Sequence, residues 1–227
     1  MTKIKRVSFG IKGLDKLIQG GVPEGSTILL TGSPGTGKTI FSIQFLVHGA
    51  MIGENGLYLS MEEDVKRLKQ YMEASFNWPL EKFEKGKRII FLRTELFNYE
   101  NFKSMIEVNV EKFNIKRLVI DPITTLSLFF EKLLDIRRSL LDLDMLLKRL
   151  GCTSILTCEV PEGSTSISSF GIEEFTSDGI IILKYYIGNL TRSLIVRKMR
   201  ATEHIGDEVP FEIKSGIGIV VRSVAKS

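Results

Sequence analysis

Residues 32–39 read GSPGTGKT. The spacing is G-x-x-x-x-G-K-[ST], and its surroundings give it weight. STILLTG (26–32) runs into it as a short apolar strand. Residues 37–52 leave it with Ile40, Phe41, Phe45 and Leu46 at helical spacing. Strand, glycine loop and helix in that order make a phosphate cradle. The glycines let successive backbone N–H groups turn inward, and the helix N-terminus adds its dipole. Ser33, Pro34, Gly35, Thr36, Gly37, Lys38, Thr39 and Ile40 are the expected nucleotide contacts. Lys38 is expected to reach the β- and γ-phosphates, and Thr39 to give its hydroxyl to Mg²⁺.

The same alternation continues outward. GLYLSM (56–61), KRIIFLRT (87–94), KRLVIDP (116–122) and CTSILTC (152–158) are short runs rich in Ile, Leu and Val. Runs of that kind suit strands covered on both faces, as in a parallel sheet. Helical patterns fall between them, at 64–76 with Asp64 as N-cap and Leu68, Tyr71 and Met72 repeating, at 101–113, and at 132–150. The reading is a three-layer α/β fold with right-handed crossovers. After residue 178 the pattern changes. GIIILKYYIG, LTRSLIVRKMR, EVPFEIK and GIGIVVR follow one another with turns at Gly188-Asn189 and Ser215-Gly216, so antiparallel hairpins should extend the sheet. No repeat or linker divides the chain, and residues 1–227 are read as one domain.

Two acidic features belong to the same edge. RLVIDP places Asp121 at the end of an apolar strand, where a magnesium-orienting carboxylate would stand. GLYLSMEED places Glu62 and Glu63 at the mouth of another. If strand 56–61 lies beside the phosphate-loop strand, these acids face the γ-phosphate, because ligands of open α/β sheets bind at the carboxyl ends of strands. A carboxylate there can polarise an attacking water. Adjacent residues point differently, so Glu62 and Glu63 should not share one task.

The chain has 227 residues, 43% of them apolar, and a net charge of +4 with a pI near 9.0. A core of that scale needs no disulfides. The charge is too small to imply nucleic acid by itself. Cys152 and Cys158 match no metal spacing and read as buried reduced thiols. No apolar run approaches the length of a membrane helix and MTKIKRVSFG lacks a signal-peptide core, so a soluble cytoplasmic protein is expected.

With these residues in view, the chain resembles the RecA-fold ATPases of the KaiC type, in their single-domain archaeal and bacterial form. The resemblance runs nearly end to end: FGIKGLDKLIQGGVPEGSTILLTGSPGTGKT, MEEDVKRLKQYMEASFNWPL, RLVIDPITTL, KRLGCTSILTCE, SFGIEEFTSDGIIILKYY and KMRATEH appear in the family's order. It implies a RecA-like P-loop fold, ATP and ADP as ligands with Mg²⁺, and ATP hydrolysis in which Glu62 and Glu63 are catalytic. It also implies a site between subunits. Lys198 and Arg200 match residues that reach the neighbour's γ-phosphate, and Met199, Thr202 and His204 match positions lining the nucleotide from that side. Ser75 matches a base- or ribose-side position. A finger supplied in trans needs an assembly, and the family suggests a homo-oligomeric ring of six.

The chain departs from the two-domain circadian members in having one such domain. Where their autophosphorylated half carries a Ser-Thr pair, this chain has Glu174-Phe175, so self-phosphorylation is not expected there. Ser164, Thr165, Ser166, Ser168 and Ser169 read as a polar loop. Between Arg149 and Lys184 there is no lysine or arginine, while Glu159, Glu162, Glu173, Glu174 and Asp178 are acidic. Of the candidate channel loops, 160–176 therefore argues against threading nucleic acid, whereas TTLSLFFEK in 122–134 is apolar, able to stack on bases but read as packing in the core or against a partner; Lys3, Lys5 and Arg6 offer a few N-terminal cations. The competing readings are a P-loop phosphotransferase acting on a protein or small molecule, and a recombinase-like DNA-binding ATPase. No protein partner can be named.

Overall fold

A computed structural model describes residues 4–94, 98–186, 188 and 190–222, without the side chain of Phe175. The chain enters through β1 (Arg6–Val7), the short helix α1 (Leu14–Leu17) and β2 (Val22–Pro23), and the two strands pair as an antiparallel ribbon. Then come β3 (Thr27–Gly32), α2 (Lys38–Met51), β4 (Asn55–Ser60), α3 (Val65–Phe76), α4 (Leu80–Lys85), β5 (Ile89–Arg93), α5 (Tyr99–Phe113) and β6 (Ile115–Asp121). A 3₁₀ turn spans Ile123–Phe129. It is followed by α6 (Leu133–Arg149), β7 (Thr153–Glu159), α7 (Glu173–Thr176), β8 (Gly179–Tyr186), β9 (Thr191–Met199), β10 (Val209–Lys214) and β11 (Gly218–Val221).

One nine-stranded sheet runs in the order β11-β10-β9-β8-β3-β7-β6-β4-β5. Its pairs are parallel from β8 through β5 and antiparallel from β8 out to β11. The apolar runs explain the parallel part. Every residue of β3 is buried, and its side chains divide between the two faces. Ile28 and Leu30 join the core under α2 and α3, whereas Leu29 joins the core under α5 and α6. Phe41 of α2 is fully buried edge-on to Phe9, 5.2 Å between ring centres. Truncating such a ring to Ala costs about 3–5 kcal/mol. Asp64 caps α3 by accepting from the Arg67 N–H, as its position in the sequence suggested.

Two expectations change. Strand 56–61 does not lie beside the phosphate-loop strand, because β7 and β6 stand between β4 and β3. The two flanks of β3 are taken by β7 and β8, through Ile28↔Ile155 and Ile28↔Gly179. Glu173, read as part of an acidic loop surface, is 1% exposed and accepts from the N–H groups of Phe170 and Ile172. The apolar stretch 124–132 does pack in the core as read: it forms most of the 3₁₀ turn, with Phe129 and Phe130 on the α5–α6 core and only Leu128 among its large apolar side chains exposed.

Other readings hold. Cys152 and Cys158 are free and buried, and burial pushes their thiols up to about 11 and about 12. Gly216 turns the chain between β10 and β11 at φ +74. Asn189, in the other proposed turn, and Lys3 lie outside the described residues. No helix among the described residues is long and apolar enough to cross a membrane.

Candidate functional site

The loop after β3 is shaped by close approach and by backbone sign. A Cβ at Gly32 would lie 2.5 Å from the Leu183 carbonyl oxygen and 2.8 Å from Thr36 Oγ1. Gly35 and Gly37 have φ of +78° and +105°, the left-handed region that glycine enters without strain. Pro34 and Gly35 form the exposed tip, and the Thr36 hydroxyl donates to the Ser33 carbonyl at 2.8 Å. Ile40 packs on the α2-side core. The first-turn amides of α2 have no acceptor within the helix and point into this loop region.

Lys38 opens α2 and is 6% exposed. Its ammonium donates to the carbonyls of Gly32 at 2.9 Å and Ser33 at 3.2 Å, and the Glu159 carboxylate stands 3.7 Å away. Burial pushes its pKa down, opposed by the charges of Glu159 and Asp121. A cation held by two neutral carbonyls and one distant acid is one that an anion would satisfy better.

Thr39 and Asp121 are brought together: the Thr39 hydroxyl donates to Asp121 Oδ2 at 2.9 Å. Tyr58 OH donates to the same oxygen at 2.6 Å, and Thr157 Oγ1 donates to Oδ1 at 2.5 Å. Hydroxyl and carboxylate oxygens are the donors that Mg²⁺ prefers. Thr39 sits one helix position from Lys38 and holds Asp121 beside it, so the residues present fit a metal–phosphate pair. Glu62 and Glu63 reach this edge despite the intervening strands, because β4 pairs Ser60 with Asp121. Glu62 Oε1 accepts from Thr125 Oγ1 at 3.1 Å, and the Glu63 carbonyl accepts from Ser60 Oγ at 2.8 Å. Burial, then the charges of Asp121, Glu159 and Glu62, push the Glu63 carboxyl up from its ordinary range. The two acids thus have different surroundings.

The remaining predicted residues stand elsewhere. β9 runs antiparallel to β8 with Gly179 opposite Met199, and Gly179 pairs with Ile28 at the start of β3. Lys198, Met199 and Arg200 therefore lie at the edge where β3 begins, opposite the loop of their own chain. There Lys198 Nζ donates to the Ser177 carbonyl at 2.5 Å and the Glu174 carbonyl at 3.3 Å. Burial, then the Arg200 charge, pushes the Lys198 pKa down. Arg200 NH1 donates to Asp178 Oδ1 at 2.9 Å, and Lys148 bridges Asp178 and Asp144 at 3.1 and 2.8 Å. The Met199 side chain is buried in the core. Thr202 donates to the Arg200 carbonyl at 3.1 Å and accepts from Arg6 at 2.8 Å. His204 Nδ1 lies 3.4 Å from the Ile205 carbonyl. Ser75 meets the β10–β11 turn, its carbonyl accepting from the Gly216 N–H at 3.0 Å. That hairpin in turn sets Ile213 and Ile219 beside Gly37. Of the N-terminal cations, Lys5 pairs with Glu24 at 2.5 Å and Arg6 binds Gly21 and Thr202.

Four residues of the loop edge escaped the sequence reading. Glu159 ends β7 beside Lys38, and Tyr58 and Thr157 bind Asp121. Arg192, at the start of β9, donates to the Gly35 carbonyl at 3.3 Å with its guanidinium 4.3 Å from the Tyr185 ring centre. Arg192 alone left a trace in the sequence: it precedes Lys198 by six residues on one strand, and a strand that long reaches both edges.

Residues 7–226 match the family model described as the KaiC ATPase. A UPF0273 protein of Pyrococcus furiosus is 37% identical over 237 residues, which cover 96% of this chain and 94% of that protein. A circadian clock protein, KaiC3 of Synechocystis, is 31% identical over 96% of this chain but only 46% of its own length. The crystal structure of a KaiC-like protein from Pyrococcus horikoshii superposes with a TM-score of 0.89 at 43% identity, covering 97% of this chain and all of that one.

Proposed function

The chain belongs to the KaiC family of ATPases, and on that premise we propose that it binds ATP with Mg²⁺ and hydrolyses it at a site shared between subunits of a homo-oligomeric ring. The observation that carries this reading is the convergence of Lys38, Thr39 and Asp121 at the end of β3. Lys38 exchanges its carbonyl partners for the β- and γ-phosphate oxygens. Thr39 and Asp121 are the residues that would hold Mg²⁺, which when bound neutralises charge on those oxygens. ADP takes the same cradle through Ser33 to Ile40.

Of the acid pair, Glu63 is assigned as the group that orients the attacking water and accepts its proton. A base works best with its pKa near the operating pH, and its surroundings push it in that direction. Glu62 instead braces the turn after Asp121 through Thr125. Lys198 and Arg200 act on the neighbour's γ-phosphate. The placement of both on the far edge of the sheet supports action in trans, since a chain cannot bring its own β9 end to its own loop without unfolding the sheet. Met199, Thr202, His204 and Ser75 are assigned to the walls of the nucleotide site, the first three from the neighbour. The proposal extends to six subunits, to residues 1–227 as one ATPase unit, to a cytoplasmic location, and to a signalling or regulatory use of hydrolysis. The acidic 160–176 segment gives no support to nucleic acid as a partner.

The test is solution mass by light scattering, without nucleotide and with Mg²⁺-ATP, alongside phosphate release. A hexamer strengthened by Mg²⁺-ATP that releases phosphate is expected. A monomer in both conditions overturns the shared site.

A further inference from the structure

We propose that Tyr58 is a positioning residue for Asp121, the fixed donor that keeps the metal-facing carboxylate aimed, with Thr157 as its counterpart on the other flank. The inference rests on the Mg²⁺ reading above and adds to it. β6 lies between β4 and β7, and each neighbour sends one hydroxyl onto the carboxylate that ends it. From β4, Tyr58 OH donates to Oδ2 at 2.6 Å; from β7, Thr157 Oγ1 donates to Oδ1 at 2.5 Å. Thr39 adds a third donor, to Oδ2 at 2.9 Å.

The three donors are not equivalent. Thr39 lies on α2 beside Lys38 and has a second task, since its hydroxyl is the group that would turn to the metal. Once it turns, only the two strand-borne hydroxyls still fix the carboxylate plane. Tyr58 is the more rigid of them. It is 1% exposed, its ring packs 5.7 Å from Phe91, and it belongs to the α2-side core. Its hydroxyl projects from that packed ring to the sheet edge, so the ring's fixed rotamer fixes the donor. A carboxylate has about four acceptor positions, so these bonds leave room for a cation. A buried phenol that only filled the core would leave its O–H without purpose, and Phe would serve as well.

That contrast is the test. Tyr58→Phe keeps the ring and removes the donor; Thr157→Val keeps the volume and removes the other. Affinity for ADP is measured by titration calorimetry in excess chelator, then as a function of added Mg²⁺, with Asp121→Asn measured in parallel. Removing an outer partner of a metal ligand typically weakens metal affinity roughly tenfold or more. The expected result is a half-saturating Mg²⁺ concentration raised about tenfold in Tyr58→Phe, with metal-free ADP affinity within about twofold of the parent. Thr157→Val should shift in the same direction, and it carries the test if Tyr58→Phe does not fold. An unshifted Mg²⁺ dependence in both variants, with Asp121→Asn clearly shifted, overturns the positioning role and leaves the metal reading standing. No shift in Asp121→Asn overturns the metal reading, and the positioning role with it.

Discussion

At the edge where β3 ends, Lys38, the one nearly buried cation there among the described residues, faces the carboxylates of Asp121 and Glu159, and Glu63 stands near those same two acids. At the edge where β3 begins, Lys148, Lys198 and Arg200 gather around Asp144, Asp178 and two backbone carbonyls. The first edge has acid to spare, and burial, then the charges of Asp121, Glu159 and Glu62, raise the Glu63 pKa. The second has its cations already answered by its own chain. The bonds also differ in how easily they could be given up. The Lys38 side chain is 7% exposed, whereas Arg200 is 59% exposed against a largely buried Asp178. An exposed ion pair is worth little, about 0–1 kcal/mol, and Lys148 would still neutralise Asp178 if Arg200 left. One edge therefore has more acid than its Lys38 and Arg192 answer, and the other holds positive charge loosely. On the proposed reading, two copies placed edge to edge complete each other.

The sharpest way to break that comparison is to disable one edge at a time. Lys38→Ala is expected to abolish measurable nucleotide binding and hydrolysis together, because the buried ammonium has no substitute. Arg200→Ala should lower the hydrolysis rate about a thousandfold, the scale of an arginine finger, while nucleotide still binds. If the edges serve different subunits, mixing the two inactive proteins should restore part of the activity, since some interfaces then pair an intact loop with an intact Arg200. Phosphate release from the mixture measures it. A mixture as dead as its components would place both edges in the service of one chain.

A finer division lies within the loop edge, between its two glutamates. Glu63→Gln is expected to lower hydrolysis about a hundredfold with nucleotide affinity retained, and Glu62→Gln to lower it less. The pH profile supplies the sign. A base acts when ionised, and Glu63 takes up its proton at a higher pH than an ordinary carboxylate. The rate should therefore fall on acidification beginning above the usual carboxylate range, and that limb should vanish from the residual activity of Glu63→Gln. If Glu62→Gln is instead the more damaging change, the assignment of the two roles reverses.

How much of this was legible in the sequence depends on the distance over which each feature is decided. The phosphate loop is written in consecutive residues, so its glycines and Lys38 could be read directly. The parallel strands are legible because burial on both faces removes the polar alternation, and Asp64 because a cap acts within one helical turn. Strand order is not local. Nothing in GLYLSM says that two later strands will separate it from β3, and that choice belongs to packing across the whole sheet. The partners of Asp121 are equally remote, Tyr58 lying 63 residues before it and Thr157 36 after. Glu159 looked like one more acid before a loop until the sheet set β7 against β3.

A second buried cation sets a limit on what burial alone implies. Arg117, on β6, is 1% exposed, and its Nε and NH1 are held by its own chain while its buried NH2 has no hydrogen-bond partner among the described residues. Its Nε binds Glu54 at 2.6 Å, its NH1 binds the carbonyls of Ser8 and Phe45 at 2.8 and 3.0 Å, and its guanidinium lies 4.6 Å from the Phe45 ring centre. Those partners, drawn from three segments of its own chain, mark it as structural. The cheapest probe is Gly49, inside α2, where a Cβ would run into Cδ and Nε of Arg117. By helix propensity alone, Gly→Ala would stabilise by about 1 kcal/mol. Here the side chain it meets is held through Nε and NH1 and cannot step aside without breaking those bonds, so Gly49→Ala should destabilise by roughly 1–3 kcal/mol, the usual range for overpacking. The melting temperature should fall by about 2–4 °C for each kcal/mol in a chain of this size, with ADP affinity unchanged. A rise in melting temperature would show that Arg117 yields, and would make its buried charge as provisional as that of Lys38.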